Sequence, residues 1–197
     1  MRIIAGRYRS RSLEAPAGVA TRPTSDRLRE TLFNVLAPRM EGARFLDLYA
    51  GSGAVGLEAL SREAAYVDFV ERAPAALAAL RKNLERLNVT AGFRIHGAGV
   101  GSALRKMKPG AAFDLVFLDP PYDAAQEYAA TLGLLGRDAV GLLADGALVI
   151  AEHRKKERLE DAFGALNRTR LLEQGDAALS FYAVVSKNES DVSSCAR

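Results

Sequence analysis

From residue 25 onward the chain alternates short β-branched or apolar runs with Ala-, Leu- and Arg-rich segments of helical period, and no other feature limits its fold as much. Strands separated by helices run parallel, and their helices cover both faces of one sheet. The runs predict strands at 44–49, 66–71, 93–97, 114–119, 146–153, 168–174 and 178–185, with helices at 25–37, 54–63, 74–88, 124–135 and 155–163. Only Gly175, Asp176 and Ala177 separate the last two strands, too few residues for a crossover but enough for a hairpin. The expected architecture is α/β: a seven-stranded, mostly parallel sheet that ends in an antiparallel hairpin.

At 197 residues, 49% hydrophobic and 26% charged, the chain can bury one substantial core. Its single cysteine, Cys195, cannot form an internal disulfide, and the start MRIIAGRYRS has no apolar stretch of the signal-peptide kind. The longest apolar runs fall far short of the roughly 20 residues that cross a bilayer. These features predict a soluble, cytoplasmic protein. His96 and His153, the only histidines, stand far apart without Cys or Glu at ligand spacing, so no metal site is expected.

The net charge of +3 is unevenly spread. Residues 1–25 carry Arg2, Arg7, Arg9, Arg11 and Arg22 against Glu14 alone, a net of +4 that leaves the rest of the chain at −1. Guanidinium groups offer a planar fork of donors that suits phosphate, so the segment reads either as a solubilising end or as an arm for a polyanion. Interleaved Ile3, Ile4, Tyr8 and Leu13 favour an arm that packs on the body and presents its arginines. Arg22, Thr24 and Arg27 border the start of the first helix, where capping and substrate contact are compatible. The expected division is an arm over 1–25, a catalytic domain over 26–186 and a disordered polar tail over 187–197.

Two motifs carry chemistry. The first strand runs into Gly51, Gly53 and Gly56, a GxGxxG between strand and helix, where the backbone turns tightly and helix N–H groups face a ligand. Glu71 closes the second strand twenty residues after Gly51, where a carboxylate can accept from both hydroxyls of a ribose. NAD, FAD and S-adenosylmethionine are all held this way. Asp47, four residues before Gly51, favours the last, because a sulfonium and an ammonium suit a nearby carboxylate and a pyrophosphate does not.

The second motif, Asp119-Pro120-Pro121-Tyr122, ends the fourth strand. An amino group on a nucleobase is a poor nucleophile because its lone pair is delocalised into the ring. The Asp119 carboxylate and the Pro120 carbonyl, each accepting one N–H, would aim that lone pair at an electrophilic methyl. The two prolines fix φ and remove competing donors, and Tyr122 offers a ring on which a flipped base stacks, worth about 1–3 kcal/mol. No covalent nucleophile is required.

The stretches at 2–16, 22–36, 45–64, 69–72 and 113–122, in that order and spacing, resemble the bacterial 16S rRNA guanine-N2 methyltransferase family, RsmD. The resemblance spans about residues 1–185 and implies a class I S-adenosylmethionine-dependent methyltransferase (Rossmann-like) fold. It further implies methyl transfer to N2 of one guanine in 16S rRNA, free or within the small subunit, by a monomer with the arm near the RNA. Carried over by position, Asp47, Gly51, Gly53 and Asp119 would contact the cofactor, Glu71 its ribose, and Asp119, Pro120, Pro121 and Tyr122 the target base. One departure stands out: His96–Val100 lacks the acid that bonds the cofactor's adenine amine in similar enzymes. Rival functions are an adenine-N6 methyltransferase, a non-catalytic rRNA assembly factor and a nicotinamide-dependent oxidoreductase.

Overall fold

A computed structural model describes residues 1–16, 26–107, 112–121, 125–137 and 139–184. After helix α1 (Asp26–Leu36) and a short 3-10 turn, strands and helices alternate as β1 (Arg44–Leu48), α2 (Ala54–Ser61), β2 (Tyr66–Glu71), α3 (Pro74–Arg86), β3 (Phe93–Gly97), α4 (Val100–Lys106), β4 (Phe113–Leu118), α5 (Ala125–Arg137), α6 (Ala139–Leu142) and β5 (Leu143–Arg154). Three antiparallel strands follow: β6 (Ala162–Phe163), β7 (Leu166–Gln174) and β8 (Ala177–Val184). The sheet order is β3-β2-β1-β4-β5-β8-β7-β6. The first five strands are mutually parallel, and the expected hairpin turns at Gly175–Asp176, with φ +60° at Gly175.

Strict alternation along the central strands splits the core in two. Phe45, Phe69, Leu115, Phe117 and Ile150 face α1, α2 and α3, whereas Leu46, Leu48, Val116, Leu118 and Val149 face α4 and α5. Residues 1–16 form a small antiparallel hairpin bridged at Arg2 and Ser12, which buries Ile3 and Leu13 in the first of these layers.

The sheet has eight strands, not seven, because a two-residue edge strand, β6, pairs with β7. That strand falls inside the helix expected at 155–163, which does not form. Tertiary partners claim the backbone a helix would use: Lys155 N donates to Asp176 O (2.8 Å), Tyr182 Oη to Glu160 O (2.9 Å) and Arg168 N to Asp161 O (2.7 Å). Helix α4 lacks a side-chain cap and carries Gly101 inside, which left its seven residues without a periodic signal.

Candidate functional site at the carboxyl edge of the sheet

Parallel α/β sheets bind ligands beyond the carboxyl ends of their strands, and both sequence motifs emerge there on neighbouring strands β1 and β4. The chain leaves β1 through Tyr49 (φ +61°), Gly51 (φ +56°) and Gly53 (φ +81°) before α2 begins. A Cβ at Gly53 would lie 2.3 Å from Leu80 Cδ1, and one at Gly56 2.3 Å from Phe69 Cε1, so these two glycines let α2 pack tightly on β2 and α3. Nothing lies within 4 Å of a Cβ built on Gly51. That open side is where a ligand can approach the backbone.

Two carboxylates hold the turn. Asp47 is buried, and its Oδ2 accepts from Gly56 N (2.8 Å). Burial pushes its carboxyl up to about 7, the Gly56 bond opposing and Glu71 adding to the rise. Glu71 accepts Gly51 N on Oε2 (2.8 Å) and both Arg72 N and Ala73 N on Oε1 (2.7 Å each). Three of roughly four lone-pair positions are thereby taken. Glu71 keeps room for one hydroxyl, and a second would displace the Gly51 N–H.

Asp119 follows β4 directly and is half-buried, with Pro120 buried and Pro121 exposed beside it. Phe117 pairs with Asp47 and with Ile150, so strand alternation directs Asp47, Asp119 and Glu152 to one face of the sheet. Asp119 is pushed well above the usual carboxylate range by burial first, then by Glu152 and Asp47. No donor among the described residues reaches it. A site of this kind favours a positive ligand and a hydrogen-bond donor, and an amine beside a sulfonium supplies both.

Glu152, only 2% exposed at the end of β5, was missed in the sequence. Its signal is the one that marks Asp119, an acid closing an apolar strand. Tyr49 and Asn83 were missed as well. Tyr49 Oη donates to Glu127 Oε2 (2.8 Å) and shares a hydrogen with Thr131 Oγ1 (2.7 Å), tying the end of β1 to α5. Asn83 on α3 donates to Ser52 O in the glycine turn (3.0 Å) and accepts from Glu14 N in the arm (2.8 Å). Lone polar residues in helices have no pattern that announces such links.

The arm is anchored through α2. Glu58, fully buried, accepts Ile4 N (2.7 Å), Ala5 N (3.0 Å) and Arg62 Nε (2.8 Å), and Ser61 O accepts Arg7 N (2.7 Å). Buried Arg29 lies 3.9 Å from Glu58, pairs with Asp26 (3.0 Å) and donates to Arg2 O. Arg2, Arg7, Arg9, Arg11 and Arg27 are all exposed. Arg2, Arg9 and Arg27 border one groove, which Asp26 and Glu30 also line. Arg22, Thr24, Tyr122 and the tail at 187–197 lie outside the described residues.

His96 bonds Asp68 (2.6 Å) and His153 bonds Ser180 (2.9 Å), and among the described residues no cluster of three or more His, Cys, Asp or Glu could hold a metal. No described helix is long and apolar enough to cross a membrane.

The family model of conserved hypothetical protein 95 matches residues 1–183. The ribosomal RNA small subunit methyltransferase D of Escherichia coli is 38% identical over 193 residues, 97% of this chain and 93% of that one. A candidate rRNA methyltransferase of Bacillus subtilis, YlbH, is 37% identical over 183 residues, covering 92% of this chain and 98% of its own. Among solved structures, a candidate methyltransferase from Escherichia coli, yhhF, superimposes with a TM-score of 0.81 at 37% identity, over 93% of this chain and 97% of that one. A candidate methylase from Haemophilus influenzae gives a TM-score of 0.75 at 31% identity, over 94% and 98%. With its eight-stranded variant of the class I methyltransferase sheet, the chain belongs to the conserved hypothetical protein 95 family, the RsmD family.

Proposed function

We propose that this protein transfers a methyl group from S-adenosylmethionine to the exocyclic N2 amine of a guanine in 16S rRNA of the small ribosomal subunit. The observation that carries the reading is the position of Asp119 and Pro120 at the end of β4, beside the open face of the Gly51 turn on β1. The names of the relatives support an rRNA substrate, and the amine chemistry of the motif supports N2 as the acceptor.

The residues fit the cofactor. Gly51 leaves its backbone approachable, Glu71 retains an acceptor position for a ribose hydroxyl, and Asp47 and Asp119 give a sulfonium a negative surround. The cofactor supplies an electrophilic methyl on a positively charged sulfur. The chain supplies orientation: Asp119 and the Pro120 carbonyl accept the two N–H bonds of the target amine, turning its lone pair toward the methyl. Tyr122 stacks on the flipped base. Positive charge that develops on the nitrogen is stabilised by the carboxylates, and the proton leaves to solvent. Arg2, Arg7, Arg9, Arg11, Arg22, Thr24 and Arg27 contact RNA phosphates, with residues 26–186 as the catalytic body.

An Asp119→Ala variant tests this reading. Methyl transfer to small subunits or 16S rRNA lacking the modification should fall by about 10²-fold or more, with rRNA binding retained. Unchanged transfer would refute it. Unaffected biological activity in a variant without transfer would favour the assembly-factor role.

A further inference from the structure

The Arg7 end of the arm is not well placed to hold RNA close to the reacting base. Helix α2 begins at the glycine turn and runs away from the carboxyl edge for about 10 Å before Ser61, the residue that binds Arg7. Arg7 thus lies toward the amino edge of the sheet. Phosphates flanking the base at Asp119 need a nearer cation.

The segment after β5 offers one. Leu118 pairs with Ala151, so Asp119 is level with Glu152, and Arg154 lies about 7 Å further along the strand. From there the chain reads Arg154-Lys155-Lys156-Glu157-Arg158. All four basic residues are exposed, while Glu157 is half-buried with its Oε2 turned inward. The segment is fixed rather than loose: Lys155 N donates to Asp176 O (2.8 Å), and Lys155 Nζ pairs with Glu173 (2.7 Å). Of the two acids just beyond, Glu160 is exposed and Asp161 is occupied by Arg168. The outward charge of residues 154–158 is therefore basic, in the place where the sequence pattern suggested a helix.

Building on the proposed rRNA activity, we infer that Lys156 and Arg158 grip the RNA backbone on one flank of the target base, as a phosphate-contact surface separate from the arm. A basic flank beside an acidic site suits a polyanion that delivers one neutral base: the flank attracts phosphates, and the acids repel them from the site.

The test compares the wild type with a Lys156→Gln/Arg158→Gln double variant and with the charge-preserving Lys156→Arg/Arg158→Lys. Binding to naked 16S rRNA and to small subunits is titrated across salt concentrations, and methyl transfer is followed in parallel. Losing two contacts should flatten the slope of log affinity against log salt by about 1.4. KM for RNA should rise about tenfold, with kcat and cofactor affinity unchanged and the charge-preserving variant close to wild type. An unchanged slope and KM would overturn the inference, as would loss of cofactor affinity in the double variant. Absence of transfer by the wild type would refute the proposed reaction instead, and the binding slopes would still decide the role of this segment. Failure of the wild type to bind RNA at all would refute both.

Discussion

Two pairs of carboxylates stand at the carboxyl edge, and they are held in opposite ways. Asp47 and Glu71 accept four backbone N–H groups between them, from Gly56, Gly51, Arg72 and Ala73. Asp119 and Glu152 stand level along adjacent strands β4 and β5, and burial with repulsion from Glu152 drives Asp119 well above its usual range. The proposed cofactor side is thus built before any ligand arrives. On the proposed reading Asp119 marks the target side, where no donor among the described residues reaches its carboxyl and the ligands would bring one. Preorganisation lowers the cost of binding, whereas unmet electrostatic demand makes binding selective for a cationic donor and an amine.

The sharpest way to break this contrast is Asp119→Asn, which keeps the shape but replaces one acceptor with a donor. Single-turnover transfer should drop by about 10²–10³-fold with little change in melting temperature. A drop caused by unfolding would show the target side to be structural after all. Next in size is Glu58→Ala, which leaves the buried Arg29 guanidinium without its inner partner. It should cost about 3–5 kcal/mol in denaturant unfolding and loosen the arm. A cost within experimental error would mean that the arm is held by its apolar residues alone.

Asp47→Ala strips the acceptor from the buried Gly56 N–H and should cost about 1–3 kcal/mol, with weaker cofactor binding. Asp47→Asn, which keeps an acceptor, should recover most of the stability but not the affinity. Asp47 also sets a pH dependence. Its folded value of about 7 lies above the ordinary 3.8, so the folded protein binds the proton more tightly than the unfolded chain does. The associated stability is fully present below about pH 4 and is lost as pH rises to about 7. Melting of the empty protein should show this falling contribution, and Asp47→Asn should lack it. The smallest expected effect is that of Glu152→Gln. Removing the neighbouring charge lowers the Asp119 carboxyl, so the acid limb of the pH–rate profile should move to lower pH. A stationary limb would show that Glu152 does not tune Asp119.

The parallel half of the sheet was legible because β1, β2 and β4 are short apolar runs bounded by turn residues, and the glycine turn and Asp119 ride on them. The segment 155–163 was misread because its helical pattern is local, whereas the partners that unmake it, Asp176, Arg168 and Tyr182, come from the later hairpin. β6 exists only through its pairing with β7 and has no two-residue signature of its own. Glu152 could have been found with the rule that found Asp119. Asn83 and Glu58 could not, since their importance lies in contacts to residues 69 and 54 positions away.

The most direct measurement is transfer of labelled methyl from S-adenosylmethionine to small subunits and protein-free 16S rRNA that lack the modification, followed by nucleoside analysis. Label in N2-methylguanosine from either substrate is the predicted result. Label in another nucleoside, or none despite bound cofactor, would contradict the assignment of Asp119 to a guanine amine.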